Sequence, residues 1–379
     1  MALKVIRTHV LPLLRPIVHP LFAICLSLIV GAFAILLTGG NPLEVYVTMF
    51  NGAFGSTFFL LATLTRATPI IICGIGSAIC WKSGYMGIGG EGQMIMGGFA
   101  CAVTALYVPG APFFRFICAV LAAVVAGGCY SLFSAWLLDK FKMSLAISTL
   151  MLNYSARYIT MHFVANLFLD KEGDMKIVQT VQIAQEMRLP RFIQTHSLHY
   201  GFAFAVLLVL VIWFVLNRTK FGYESRMTGL NRKFCEYGGI NSRKVMYAIL
   251  TLSGAICAMA GASEVLGLQY RYLHDSYVSA SFAWIGLNAA LISGFHPVGI
   301  LFSSIVLSGV QTGGSAIARS MNMPVEISTI IQGCITLFIS ARIVINWRFR
   351  KRRPAASDLA EPKEKNELLQ ETAQGGVEK

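Results

Sequence analysis

Long apolar runs, separated by short polar segments, fill most of this sequence up to residue 345. A helix needs about 20 apolar residues to cross a hydrocarbon core of ~30 Å. The third and eighth runs are short for a full crossing, so we expect them to be tilted, broken or re-entrant. The pattern predicts an all-α polytopic membrane protein with about ten transmembrane helices. The predicted spans are Leu21–Leu37, Phe58–Cys80, Met94–Val108, Phe113–Leu138, Met143–Leu169, Tyr200–Leu216, Val245–Leu268, Val278–Ile292, Val298–Ala318 and Val325–Ile345.

The composition is typical of a chain that is mostly surrounded by lipid. Hydrophobic residues make up 55% of the 379 residues and charged residues only 13%, which is about half the charged fraction of an ordinary soluble domain. The net charge of +13 arises from 31 basic and 18 acidic residues. The bases lie in short segments between apolar runs and not on one face of a soluble domain, which argues against nucleic-acid binding.

The positions of the basic residues indicate how the spans are oriented. Basic clusters precede the first span and follow the fourth, sixth and tenth, and a ten-span count places all of them on one side of the membrane. Cytoplasmic connections are enriched in Lys and Arg, so both termini of this multi-pass protein of the cell (inner) membrane are predicted to be cytoplasmic. The clusters contain Lys4, Arg7, Arg15, Lys140, Lys142, Arg218, Lys220, Arg226, Arg232, Lys233, Arg243, Lys244, Arg348, Arg350, Lys351, Arg352 and Arg353.

Three regions follow from this pattern. Residues 1–20 are predicted to form a cytoplasmic N-terminus and residues 21–346 a transmembrane domain. Residues 347–379 are predicted to form a tail that is first basic and then polar and disordered. The first span could also be a signal peptide, but its apolar core is long and Thr38–Pro42 is a poor cleavage site, which favours an uncleaved anchor.

A glycine-rich segment, Gly87-Ile-Gly-Gly-Glu-Gly92, precedes the third span. It matches G-x-G-x-x-G, but the dinucleotide interpretation requires a preceding strand and a βαβ unit, and here an apolar span lies on each side. Glycine permits sharp bends and close approach of other chains. Glu91 and Gln93 then lie at the start of the third span, where a carboxylate favours a helix N-terminus. The segment is either a structural turn or part of a transport path.

The longest connection on the predicted cytoplasmic side is Asn217–Lys244, which contains aromatic residues and regularly placed glycines. Loops of this length are usually functional or disordered, and this one is too aromatic and too apolar for disorder. We expect short helices that dock on a soluble partner. The alternative is a basic anchor against anionic lipid.

Several polar residues fall inside the predicted spans. A charge at membrane depth is costly unless it is paired or hydrated, so each such residue is a functional candidate. Arg66 and Glu264 could pair with each other or face a water-filled path, whereas the amides could simply connect helices. Gly309-x-x-x-Gly313 indicates close helix packing. The polar residues are Arg66, Asn153, Arg157, His162, Glu264, Asn288, Gln311 and Gln332.

Motifs that would indicate an enzyme are absent from the sequence. It contains no G-x-x-x-x-G-K-[ST] loop for ATP, no H-E-x-x-H or G-x-S-x-G motif, and no His/Cys cluster with metal-ligand spacing. None of the nine cysteines forms a C-x-x-C pair and none lies in a predicted external loop, so no disulfide is expected. The protein is not expected to be an enzyme or to hold a cofactor or metal.

Three blocks of this sequence resemble the ABC importer permeases of the branched-chain amino acid, ribose and nucleoside group. The first, Gly84–Gln93, is similar to G-x-x-N-I-G-x-E-G-Q, with Gly87 at the usual Asn. The second, Met151-Leu-Asn-Tyr154, resembles M-x-N-Y. The third looks like the coupling loop and following helix, in Thr219–Gly222, Gly229-x-Asn231, Tyr237-x-Gly239-Ile240, Leu252–Ala255 and Ala260–Gly267. The resemblance is greatest to the longer permease of nucleoside-type systems that use a basic-membrane-protein receptor.

The resemblance implies a ten-helix fold like that of the vitamin B12-type importers, and it implies three partners. These are a separate ABC ATPase, a second permease subunit that completes a heterodimeric pore, and an extracytoplasmic solute-binding lipoprotein. The residues expected to couple to the ATPase are Phe221, Gly222, Arg226, Gly229, Asn231, Tyr237, Gly239 and Ile240. The candidates for the transport path are Arg66, Glu91, Gln93, Asn153, Tyr154, Arg157 and Glu264.

Together these features predict the permease subunit of an ATP-driven importer for a small solute. Nucleosides are the leading solute, followed by riboflavin and simple sugars. The rival class is a secondary transporter driven by an ion gradient, which would use carboxylates near the midplane, and only Glu264 suits that role. A membrane scaffold without transport activity is disfavoured by the polar residues inside the spans.

Overall fold

The fold was analysed in a computed structural model that describes residues 29–33, 35–36, 40–171, 177–193, 195–321, 329–330 and 333–334. All of these belong to one compact unit, Cys25–Thr336. Within them the chain is mostly helical, and extended segments meet only in isolated bridges. The predicted N-terminus and tail, and most of the first and tenth predicted spans, lie outside the described residues.

The helices between residues 40 and 321 follow one another with short connections. Half of them follow a residue whose backbone is extended. Asn41, Ser56, Thr219, Asn231 and Asn241 accept a hydrogen bond from the first turn as N-caps. The helices are α1 (Pro42–Phe54), α2 (Thr57–Lys82), α3 (Gly90–Tyr107), α4 (Pro112–Phe141), α5 (Leu145–Leu167), α6 (Gly201–Arg218), α7 (Lys220–Leu230), α8 (Arg232–Tyr237), α9 (Ser242–Glu264), α10 (Ser276–Ala280), α11 (Phe282–Ile292) and α12 (Pro297–Met321).

Five helices of the described residues are long and apolar enough to cross a membrane: α2, α4, α6, α9 with the turn after it, and α12. They coincide with the second, fourth, sixth, seventh and ninth predicted spans. Helices α3 and α5 have 18 and 23 residues but are not among the five, because polar residues lower their hydropathy. The predicted count of ten spans stays a prediction.

The two short spans differ from each other in the structure. The third predicted span is a continuous helix, α3, which begins four residues before Met94 and so gains length. The eighth is broken: α10 and α11 are separated at Ser281, whose φ of 53° is left-handed. Such a residue cannot continue a right-handed helix.

Helix α1 was not predicted, because its 13 residues are too few and too polar for a span. It packs along α12, where the sequence Gly309-x-x-x-Gly313 provides the room. A Cβ at Gly309 would lie 2.7 Å from the ring of Phe54, and one at Gly313 would overlap the backbone of Met49. The close packing predicted for this motif is therefore confirmed.

Helix α9 is the centre of the bundle and contacts α2, α3 and α4 most extensively. Small residues allow these close contacts. A Cβ at Gly97 of α3 would lie 2.5 Å from Ala258, and one at Gly127 of α4 would overlap the same residue. The packing fixes α3, and with it the glycine-rich segment, against the core.

At its end α9 continues into a π-helical turn, Val265–Gln269, and the chain then reverses at Tyr270, which has a φ of 56°. The described residues of the connection between α5 and α6 fold over this reversal. Isolated bridges join Leu169 to Thr180, Gln179 to Leu273, and Arg191 to His199. Residues 177–193 and 195–199 of this connection therefore form a cap on one end of the bundle.

Candidate functional site

A polar cluster lies where α5 meets the segment that enters α10. Arg157 donates from Nε to Oδ1 and from Nη2 to Oδ2 of Asp275, both at 2.6 Å. His274 Nε2 lies 3.1 Å from Asp275 Oδ1, and burial lowers the pKa of this histidine despite the opposing effect of Asp275. The Arg157 and Asp275 side chains stay 34% and 36% exposed. A solute or a partner chain can therefore reach this ion pair.

Glu91 and Trp284 extend the cluster across α3 and α11. The Trp284 indole donates to Glu91 Oε2 at 2.6 Å, and Glu91 is close enough to Arg157 and Asp275 to interact with both electrostatically. Trp284 is 38% exposed. These residues surround a small cleft that is also lined by Ser77, Ile88, Gly90, Ala283 and Leu287. Three helices and the turn before α10 thus bring opposite charges and an aromatic ring to one surface.

The exposed side of α5 carries polar side chains as well as large apolar ones such as Ile147, Met151 and Leu167. Its buried side is a narrow stripe that includes Asn153, Ala156, Thr160 and Val164. Polar side chains cannot be solvated by hydrocarbon, so they face water or another protein chain. The exposed polar residues of this helix are Tyr154, Ser155, Tyr158, His162 and Asn166.

Asn153 connects α5 to the glycine-rich segment by two hydrogen bonds. Its Oδ1 accepts from the Gly92 N–H and its Nδ2 donates to the Ile88 carbonyl, both at 2.9 Å. A Cβ at Gly92 would lie 2.9 Å from the same Oδ1. Gln93 is also buried, beside this turn. The glycine-rich segment is thus a turn held by α5, and of its two predicted path residues only Glu91 reaches the exposed cluster.

Of the two alternatives for Arg66 and Glu264, the structure does not form the direct ion pair. Among the described residues these side chains form no ion pair, although they interact electrostatically, and Arg319 also lies within range of Arg66. Glu264 is 1% exposed at the point where α9 becomes a π-turn. Its Oε2 accepts from Gln269 Nε2 at 3.5 Å, and its Oε1 has no partner in the described part of the chain. Central packing of α9 buries Glu264 and keeps it away from the exposed cluster.

The predicted coupling segment folds into two short helices, α7 and α8, as expected. Glycines at 222 and 229 lie inside α7, so they are not the turns between short helices that the spacing suggested. A Cβ at Gly222 would overlap the end of α6, and one at Gly229 would lie 2.7 Å from the Ser83 carbonyl carbon. The hydroxyls of Ser83 and Ser225 are hydrogen-bonded. Helix α7 is therefore docked on the membrane domain.

The remaining coupling candidates divide between the two sides of this segment. Phe221 and Ile240 are partly buried, Arg226 donates to the Gly222 carbonyl at 3.3 Å, and Asn231 caps α8. Tyr237 is 92% exposed and Gly239, with a φ of 78°, has open space around it. The surface that faces away from the bundle also contains residues that sequence reasoning missed: Tyr223, Leu230 and Phe234.

Sequence reasoning also missed three members of the polar cluster: His274, Asp275 and Trp284. An acidic residue directly before the eighth apolar run was the available signal for Asp275. Nothing in the sequence connects it to Arg157, which lies 118 residues earlier. The described residues contain no group of histidine, cysteine and acidic side chains that could hold a metal ion, and their cysteines are free.

The sequence is similar to that of a known family of membrane transport proteins. Residues 59–340 match the family described as branched-chain amino acid transport system / permease component. The guanosine ABC transporter permease protein NupP of Bacillus subtilis is 28% identical over 86% of this chain and 94% of its own length. The nucleoside ABC transporter permease protein NupB of Lactococcus lactis is 26% identical over 89% and 94%.

The named solutes of the relatives vary. The glucose ABC transporter permease protein TsgB13 of Haloferax volcanii is 24% identical over 84% of this chain and 86% of its own length. Further relatives are named as a second guanosine permease of Bacillus subtilis, NupQ, at 26% identity, and a probable riboflavin import permease of Treponema pallidum at 21%. The family match covers most of the bundle, and the apolar helices account for membrane insertion. This chain therefore belongs to the branched-chain amino acid transport system permease family and is a multi-pass permease subunit of an ABC transporter.

Proposed function

We propose that this permease conducts nucleosides inward across the cell membrane, with both termini in the cytoplasm. The names of the relatives NupP and NupB support this solute class. Riboflavin is the second candidate, because it too combines a flat heteroaromatic ring with hydroxyl groups. Glucose is the third and lacks the ring.

The observation that carries the proposal is the exposed polar cluster of Arg157, Asp275, Glu91 and Trp284. Arg157 and Asp275 offer charged donors and acceptors that match ribose hydroxyls and base edges. Trp284, with Tyr154 and Tyr158 on the neighbouring exposed face, offers aromatic surface to a base. Such a surface is shallow and open, which suits a path that solutes cross without tight binding.

A second permease chain is proposed to cover the polar face of α5. The partly exposed charge of Arg157 and the exposed polar residues around it would be costly against lipid, and the relatives NupP and NupQ of Bacillus subtilis are two different guanosine permeases of one organism. The path would then lie between the two chains, with the cluster on its wall. An extracytoplasmic lipoprotein receptor is proposed to deliver the solute.

The ATPase is proposed to dock on α7 and α8. Tyr223, Leu230, Phe234 and Tyr237 form an exposed apolar surface there, whereas the glycines of α7 face the bundle. Because α7 is anchored on the Ser83–Gly84 turn that precedes α3, movement of α7 would be transmitted to α3 and Glu91. This links ATP hydrolysis to the polar cluster.

Reconstituted uptake tests both the energy source and the solute. The chain, its second permease, the ATPase and the receptor would be placed in proteoliposomes with ATP on the ATPase side. We expect uptake of radiolabelled guanosine and other nucleosides that requires ATP and persists when ionophores collapse the ion gradients. Uptake that stops with the gradient at constant ATP would favour the secondary transporter, and uptake of riboflavin or glucose alone would reject nucleosides.

A further inference from the structure

A second cleft, of about 270 Å³, lies on the flank of the bundle away from the polar cluster. Its walls are α4, α6, α9 and the segment before α6, and they are almost entirely apolar. The lining residues are Phe116, Val120, Leu189, Tyr200, Gly201, Phe204, Met259, Ala262, Ser263 and Leu266. The three helices in this wall are apolar enough to span the membrane, so the opening of the cleft faces hydrocarbon.

The cleft lies near one end of the spanning helices. Phe116 is close to the start of α4, Tyr200 and Gly201 begin α6, and Leu266 lies in the π-helical turn that follows α9. Residues at the ends of membrane-spanning helices are close to the lipid headgroups. An apolar cavity at this depth is within reach of both an acyl chain and its phosphate.

Two arginines flank the lining residue Leu189. The guanidinium carbon of Arg188 lies 4.4 Å from the centre of the Tyr270 ring and that of Arg191 lies 5.8 Å from it. Arg191 also donates to the Tyr270 hydroxyl from Nε at 3.2 Å and from Nη2 at 3.0 Å. One aromatic ring thus holds both cations at the edge of an apolar cleft.

These cations retain capacity for an anion. Neither arginine forms an ion pair with a carboxylate in the part of the chain that the structure describes, although Glu186 is nearby in sequence. The buried Nε of Arg188 has no acceptor there. Phosphate oxygens are strong acceptors for guanidinium groups.

We propose that this cleft binds an anionic phospholipid, with one acyl chain between α4, α6 and α9 and the phosphate on Arg188 and Arg191. The occupant would contact Ala262, Ser263 and Leu266, which surround the transition from α9 into the π-turn. A bound lipid would therefore support the segment that leads through Tyr270 to Asp275.

Native mass spectrometry of the full transporter complex tests this proposal with two added lipids, phosphatidylglycerol and phosphatidylcholine with identical acyl chains. We expect the complex to retain phosphatidylglycerol about ten-fold more strongly, and the double variant Arg188→Gln/Arg191→Gln to lose this preference. Val120→Trp fills the cleft and should reduce retention of both lipids. Its control is Leu121→Trp on the exposed side of α4, which should retain lipid as the unmodified protein does.

Two results would overturn the proposal: equal phosphatidylglycerol retention in Val120→Trp and Leu121→Trp, or an unchanged lipid preference in the double arginine variant. Receptor-stimulated ATP hydrolysis is measured alongside. Loss of that stimulation in the arginine variant with lipid retention intact would assign the arginines to a protein partner and reject the lipid site. Arg191 is exposed and Arg188 is partly buried, and neither lies in a spanning helix, so this variant tests the site without altering the packing of those helices.

Discussion

Arg157 in α5 and Asp275 at the entry to α10 form a two-pronged ion pair, with both nitrogen–oxygen distances at 2.6 Å and both side chains about one third exposed. The pair joins two elements that are far apart in sequence, on a face where lipid would not tolerate it. It is the most specific feature of the proposed path.

A neutral residue in place of Arg157 or Asp275 leaves the remaining charge without its partner at membrane depth. We expect Arg157→Gln or Asp275→Asn to lower ATP-driven uptake about ten-fold or more, because the path loses a matched donor and acceptor. Leu121→Ala, an exposed change on α4, is the control and should transport normally. The measurement is initial uptake in proteoliposomes at equal protein content, with ATPase co-purification as a check of assembly. Normal uptake in both charge variants would remove the pair from the path.

Asn153 is expected to matter for stability and not for solute contact. Asn153→Ala removes both side-chain bonds to the glycine-rich turn and leaves a buried N–H and a buried carbonyl unsatisfied, at a cost of about 1–3 kcal/mol for such a group. Its neighbour Tyr154 is exposed, so Tyr154→Phe should leave stability unchanged. Thermal unfolding in detergent, followed by fluorescence-detected size exclusion, compares the two. Equal unfolding midpoints for the two variants would show that the turn does not depend on the hydrogen bonds of Asn153.

The exposed surface of α7 and α8 predicts how ATPase binding responds to mutation. Phe234→Ser/Tyr237→Ser should weaken capture of the ATPase about ten-fold, because large exposed aromatics dominate such interfaces. Gly229→Val should instead reduce the amount of folded protein, since its side chain would collide with the Ser83 backbone.

The control for this surface addresses lipid anchoring. The double variant Lys233→Gln/Lys244→Gln removes two positive charges and leaves the aromatic surface unchanged. The ion pair of Arg243 with Asp139, at 2.5 Å, also stays intact. If the lysine variant loses ATPase capture while the aromatic variant keeps it, the segment is a basic anchor and not a docking surface.

His199 predicts a dependence of stability on pH. Burial, with a smaller contribution from Arg191, lowers the pKa of His199 to about 4, and its Nδ1 accepts the Gly201 N–H at 3.1 Å. The unfolded chain takes up a proton near the ordinary value of about 6.5, before the folded chain does. The stabilisation is therefore complete above pH ~6.5 and is lost as pH falls toward about 4, by at most about 3 kcal/mol.

His199→Gln should flatten this part of the profile. Unfolding midpoints would be measured for both proteins from about one pH unit above the ordinary value of about 6.5 down to the pKa of about 4 in the folded chain. His162→Gln, an exposed histidine of α5, is the matched control. A profile for His199→Gln that still falls as steeply as that of the unmodified protein would assign the acid sensitivity to other groups.

Orientation is tested by thiol labelling, for which Cys235 itself is unsuitable because it is 2% exposed. In a cysteine-free background, Thr195→Cys should react with an impermeant maleimide on intact cells and Tyr237→Cys should react only after lysis. Both positions are exposed in the structure. Reaction of Tyr237→Cys from outside would invert the proposed topology.

The sequence by itself located the spanning helices to within a few residues. The predicted span Phe58–Cys80 corresponds to helix Thr57–Lys82 in the structure, and the predicted span Tyr200–Leu216 corresponds to helix Gly201–Arg218. This works because transfer into hydrocarbon depends on the summed apolar surface of a local segment. The same local rule missed α1, whose 13 residues are held by packing against α12.

Only the tertiary structure decided what the polar residues do. Arg66, Asn153, Arg157 and Glu264 were equivalent candidates in the sequence, yet Asn153 clamps a turn, Glu264 is buried beside a π-turn, and Arg157 binds a partner 118 residues away. Hydropathy depends on neighbours along the chain, whereas pairing and burial depend on which helix faces meet. Close contacts of small residues, such as Gly97 with Ala258, determine those faces.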